Sequence, residues 1–131
     1  MKLAVDTNVL VRAVMRDHPA QSTAAAKLLT DAELIAIALP CLCEFVWVLL
    51  RTYKLTSDDA AAAIRALMAT RNVELNRPAV EAGLALLEAG GDFADGVIAF
   101  EGRWLGGETF VSFDKQAVAL LKAQGLPTRL L

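Results

Sequence analysis

Residues 2–10 read Lys2-Leu3-Ala4-Val5-Asp6-Thr7-Asn8-Val9-Leu10, and the reading of this stretch decides the fold. Lys2 to Val5 is a short apolar run that ends in an acid, the pattern of a strand buried in a parallel sheet. Asn8 to Met15 is apolar with Arg12 inside it, which predicts a helix directly afterwards. The same step recurs outward along the chain. Asp17-His18-Pro19 is a break, and Pro19 suits the first position of a helix running to about Thr30. Ile35 to Leu39 is a second short strand, ended by Pro40. Cys41 to Arg51 then carries Leu42, Phe45, Val46, Leu49 and Leu50 at helical spacing.

Ser57-Asp58-Asp59 has the form of an N-cap and acidic first turn, and its helix carries Ile64, Leu67 and Met68 on one face as far as Thr70. Asn72 to Leu75 is a weak strand. Pro78 opens a helix with Val80, Leu84 and Leu87 in register, closed by Gly90-Gly91. Asp92 begins the next, which runs to about Leu105 and stops at Gly106-Gly107. Thr109 to Ser112 is a strand, Lys115 to Ala123 a helix, and Pro127 to Leu130 a last edge strand. Short strands alternating with helices predict an α/β fold, a parallel sheet covered by helices on both faces. Ligands of such sheets bind beyond the carboxyl ends of the strands, so the residues just after each strand come first as site candidates.

A chain of 131 residues, 56% hydrophobic, suits a single domain with one core, expected here over 1–131. Its formal net charge of −2 argues against a grip on nucleic acid by charge alone. Bound cations and local Arg and Lys would have to supply the attraction. Cys41 and Cys43 are two apart, poor geometry for a disulfide on a helix, and read as buried free thiols of a reducing cytosol. A single histidine, His18, without a Cys/His cluster excludes a zinc site of the usual kind. Met1-Lys2 leads into the first strand without the form of a signal peptide. The longest apolar run, Leu34 to Leu50, is interrupted by Pro40 and Glu44, so no membrane span is expected and the protein reads as cytoplasmic.

Four acids stand where chemistry is expected. Asp6 follows the first strand and Asp114 follows Thr109 to Ser112, which places both at the same sheet edge. Glu44 falls near the first turn of the helix after the second strand, and Asp95 in the first turn of the helix starting at Asp92. Glu44 is the only charged residue between Leu34 and Leu50. On a helix apolar nearly all round, an unpaired buried carboxylate costs several kcal/mol, on the order of its desolvation penalty. A bound divalent cation would compensate, and hard oxygen ligands suit Mg²⁺ or Mn²⁺. Carboxylates that share a pocket repel one another unless a cation sits among them. One such ion activates a water, and a pair about 3.5–4 Å apart also stabilises the leaving oxygen in phosphodiester cleavage.

Each acid has a plainer reading. Asp6 and Asp114 have the position of helix caps. Asp92 and Asp95 have the spacing of a capping box, with Asp92 as N-cap. Asp95 is kept as a site candidate because Ala99 and Gly102, on its side of the helix, leave room. Glu44 has Arg12 or Arg51 as an ion-pair partner in place of a metal. Trp47 and Trp104 lie in helical apolar patterns and read as core or interface rather than base-stacking groups. His18 has no catalytic role.

The segments Val5 to Leu10, Glu44 to Leu49, Asp92 to Ala99 and Val111 to Lys115 closely resemble the PIN-domain ribonucleases, and among them the VapC type, the toxin of a toxin–antitoxin pair. The resemblance runs in order over the whole chain. It implies a three-layer α/β/α sandwich with a short, mostly parallel central sheet and Mg²⁺- or Mn²⁺-dependent endonucleolytic cleavage of RNA. By position it makes Asp6, Glu44, Asp95 and Asp114 the acidic, metal-binding site, Asp6 and Asp95 foremost. Asn8 and Ser112 match the polar positions that orient ligands or water around it. Lys115 is a candidate phosphate contact or a solvated helix residue. The resemblance also implies a homodimer and a small cognate antitoxin that brings a basic side chain to the acids. Val9, Leu10, Val14 and Leu28 are candidates for the antitoxin groove, and core packing explains most of them equally well. Gly96 departs from the alanine usual in the family, which loosens the helix by up to about 1 kcal/mol.

Two other functions compete. One is a PIN-fold regulatory or nucleic-acid-binding module that acts with a partner and has little catalysis of its own; the complete acid set speaks against it. The other is phosphoryl transfer through an aspartyl nucleophile, which wants a second acid two residues after the first, where this chain has Asn8.

Overall fold

In the computed structural model, which describes residues 1–131, the chain forms two compact units, Met1–Asn76 and Arg77–Leu131. The first contains β1 (Lys2–Ala4), α1 (Thr7–Met15), α2 (Pro19–Asp31), β2 (Leu34–Ala36), α3 (Leu39–Arg51), α4 (Ser57–Met68) and β3 (Val73–Glu74). Its three strands pair in parallel in the order β1-β2-β3, with Leu3 opposite Ile35 and Ile35 opposite Val73. Parallel pairing requires a crossover between successive strands, and here helices supply it. Ile35 of the central strand is fully buried with Leu10, Leu42, Phe45, Leu49 and Ile64 from the helices around it.

Three local details differ from the expectation. Pro40 does not end a strand. It occupies the first turn of α3, where a missing N–H costs no helical hydrogen bond, so β2 stops at Ala36. The N-cap of α4 is Thr56 rather than Ser57, its Oγ1 accepting from the Asp59 N–H at 3.1 Å. His18 is a cap: its Nδ1 accepts from the Gln21 N–H at 3.2 Å, and Pro19 follows as the first residue of α2.

Asn72, just before β3, ties off the end of α2. Its amide Nδ2 donates to the Leu29 carbonyl at 2.8 Å and the Ala32 carbonyl at 2.9 Å. Those acceptors are half-buried, and water replaces the amide poorly there. Asn72→Ala is expected to cost about 1–3 kcal/mol, read as a lower midpoint in urea denaturation with an unchanged slope. An unchanged midpoint would show that water substitutes fully.

The second unit contains α5 (Arg77–Glu88), α6 (Phe93–Trp104), β4 (Phe110–Ser112), α7 (Lys115–Ala123) and β5 (Thr128–Leu130). β4 and β5 pair in parallel, Phe110 opposite Thr128 and Ser112 opposite Leu130. Leu86, Ala99 and Leu121 form a buried cluster, with Phe110, Leu120 and Leu126 packed against it. α5 and α6 cross at two glycines. A Cβ on Gly96 would stand 2.6 Å from the Ala82 carbonyl oxygen and 2.9 Å from the Gly83 Cα. The glycine that seemed only to loosen α6 therefore lets two backbones approach.

The tryptophans are not core. Trp47 is 56% and Trp104 81% exposed. Leu42, Phe45, Val46 and Leu49 take the inward face of α3, and the helical period leaves Pro40, Glu44, Trp47 and Arg51 together on its exposed stripe. No helix is long and apolar enough to cross a membrane.

Candidate functional site

In the first unit, Asp6 lies two residues beyond β1 and caps α1. Its Oδ1 accepts from the Val9 N–H at 3.1 Å, and the other carboxylate oxygen stays available at an exposed position. The cap reading and the site reading of Asp6 are thus compatible. Glu44 lies on the exposed stripe of α3, so the burial cost that seemed to demand a cation does not exist. It is not ion-paired with either arginine. Arg12 is engaged elsewhere: Nε donates to Gln21 Oε1 at 2.7 Å, and Nη1 to Asp17 at 3.3 Å and to the Tyr53 hydroxyl at 3.4 Å.

The Cys41 thiol shows where the two acids stand. Cys41 and Cys43 are free and half-buried, and the Thr7 hydroxyl donates to Cys41 Sγ at 3.9 Å. Burial pushes the Cys41 pKa up, the Thr7 hydrogen bond pulls it back, and the charges of Asp6 and Glu44 add to the rise. Both carboxylates therefore act on one sulfur. Beside Asp6 a groove of about 560 Å³ runs between α1 and α2, lined by Asn8, Val9, Arg12, Gln21 and Leu28 among others. Of the residues expected in such a groove, Val9 and Leu28 line it, Leu10 is fully buried in the core, and Val14 lies outside the lining.

In the second unit, Asp92 is the N-cap of α6, its Oδ1 accepting from the Asp95 N–H at 3.0 Å. Asp95, the third helical residue, is half-buried. Burial raises its carboxyl pKa, and the charges of Asp92 and then Asp114 raise it further. The structure thus brings Asp95 and Asp114 together, as the sequence reading required. Asp114 caps α7 through Oδ1 and the Ala117 N–H at 3.0 Å. Its own N–H donates to Ser112 Oγ at 2.9 Å. Gly102 does face open space, and Ala99, packed in the core cluster, also lines a cavity of about 400 Å³ with Gly96 and Phe100.

Neither unit by itself gathers three His, Cys, Asp or Glu side chains into a group that could hold a metal ion. Sequence reading missed the Arg12, Asp17, Gln21 and Tyr53 network. The Tyr53 hydroxyl donates to Asp17 Oδ2 at 2.7 Å across 36 residues, and no local pattern signals a pair so far apart. That bond is the largest cause of a lowered Asp17 pKa and of a raised Tyr53 pKa.

No curated protein matches the chain. Residues 3–121 match the PIN domain, a span that includes Asp6, Glu44, Asp95 and Asp114, and the helix-rich α/β structure with short parallel strands is consistent with its three-layer α/β/α fold. The chain belongs to the PIN-domain family.

Proposed function

We propose that this PIN domain is a metal-dependent endoribonuclease, the VapC-type toxin of a toxin–antitoxin pair. PIN domains are generally nucleases and usually use divalent metals. The observation that carries the reading is the half-buried Asp95 carboxyl, whose pKa is raised by burial and then by the charges of Asp92 and Asp114, with Asp6 and Glu44 both close enough to act on the Cys41 thiol. Carboxylates that disfavour one another's charge gain most from a cation. The donor set is oxygen throughout, since the nearby Cys41 is held toward its protonated form. Such donors suit Mg²⁺ or Mn²⁺ rather than softer ions.

In this reading residues 1–131 act as one domain. Asp6, Asp95, Glu44 and Asp114 are the ligands, and Asn8 and Ser112 orient them. The ion supplies an activated water and charge neutralisation at the scissile phosphate. The same resemblance supports a homodimer restrained by a small antitoxin.

Purified protein incubated with single-stranded RNA is expected to cut it in Mg²⁺ or Mn²⁺ and to stop when EDTA is added. Internal cleavage that continues under chelation would defeat the metal-dependent reading. For the toxin assignment, a short reading frame beside the gene should encode a protein that co-purifies with this chain and suppresses cleavage. Sedimentation of the free protein tests the dimer.

A further inference from the structure

Phe113 stands between Ser112 and Asp114, at the corner where β4 turns into α7, and is 79% exposed. The corner is firmly built. The Asp114 N–H is held by Ser112 Oγ, its carboxylate by the Ala117 N–H, and the Ser112 carbonyl accepts from the Leu131 N–H at 2.9 Å. A large aromatic ring is thus displayed to solvent by a rigid support, where burial would ordinarily favour covering it. Val111, two residues earlier on β4, is also exposed, at 49%. Its register partner on β5 is Arg129. Arg129 and Lys115 are both exposed, and neither makes an ion pair. Unpaired cations on the same short strand pair and corner as an exposed ring favour an occupant with flat apolar faces and negative charge, which describes a nucleotide. An apolar protein surface would have to desolvate those cations without a partner.

We propose that Phe113 is a stacking platform that seats an unpaired base of single-stranded RNA next to Asp95 and Asp114, with Lys115 and Arg129 toward the flanking phosphates. The proposal rests on the endoribonuclease reading and adds the residue that holds the base, since duplex bases are already stacked and leave no free face for the ring.

The test is binding of unstructured RNA in EDTA, where cutting is absent. Phe113→Ala is expected to weaken binding about tenfold, and Phe113→Trp to preserve it. With Trp47 and Trp104 replaced by Phe, the emission of F113W should be quenched by single-stranded RNA and not by a blunt duplex. Equal affinity of F113A and the parent, absent quenching, equal quenching by duplex, or no RNA binding by the parent would each overturn the proposal. So would an F113A variant that loses only a protein partner. Cleavage in Mn²⁺ is scored separately. Quenching without cleavage removes the nuclease reading alone, and cleavage with the same KM in F113A and the parent removes the platform alone.

Discussion

Asp95→Asn is expected to lower RNA cleavage by at least about 10³-fold, the loss that roughly 4 kcal/mol of metal-derived stabilisation represents, while making the metal-free protein more stable. The two effects share one cause. Burial, Asp92 and Asp114 raise the Asp95 pKa above the ordinary carboxyl value of 3.8, so the folded state binds that proton more tightly than the unfolded state does. The stabilising contribution is present below pH 3.8 and is lost as pH rises through the folded value. At neutral pH the charged carboxylate opposes folding. Asn has the same shape without the charge, and the side chain replaced makes no capping bond of its own. In EDTA at pH 7 the variant should melt higher, by at most about 4 °C, and the gain should vanish below pH 3.8. Added Mn²⁺ should then raise the melting temperature of the parent and leave the variant nearly unmoved, because only a bound ion stabilises the fold. A variant that cuts within tenfold of the parent would remove Asp95 from the site.

Gly96→Ala is expected to destabilise the fold, although it restores the residue usual in the family and improves helix propensity by about 1 kcal/mol. The new Cβ would meet backbone atoms, the Ala82 carbonyl oxygen at 2.6 Å and the Gly83 Cα at 2.9 Å. Backbone cannot swing aside as a side chain can, so α5 and α6 must part. Overpacking of this kind costs about 1–3 kcal/mol, which outweighs the propensity gain at most of that range. The expected net loss is up to about 2 kcal/mol, seen as a melting temperature lower by up to about 8 °C. Gly102, on the same helix, is the control. Nothing lies within 4 Å of its added Cβ, so Gly102→Ala should stabilise by about 0.4–1 kcal/mol. Gains at both positions would mean that the two helices separate without cost.

Elements with strong local signals were legible from residues alone. The period from Lys115 to Ala123 gives α7 with the bounds observed, and Asp92 caps α6 as its position suggests. Features set by tertiary packing were not. The composition of α3 hides which side faces outward, because Trp47 and Pro40 are apolar and yet exposed with Glu44. The argument that singled out Glu44 therefore failed, although Glu44 and Asp6 both act on the Cys41 thiol. The crossing at Gly83 and Gly96 depends on how close two helices come, which no single helix encodes. The pairing of Asp95 with Asp114 was legible because each follows a strand-to-helix or loop-to-helix step, where chain direction alone fixes the end of the element.

Asp6, Asp92 and Asp114 each hold the first turn of a helix with one carboxylate oxygen. Asparagine caps as well as aspartate does. In the proposed reading, Asp→Asn at Asp6 or Asp114 therefore removes a metal ligand and leaves the scaffold standing. The first turn of each helix is thus indifferent to the charge of its cap, so charge can be lost at these positions without loss of the fold, whereas a change to alanine there also frays a helix.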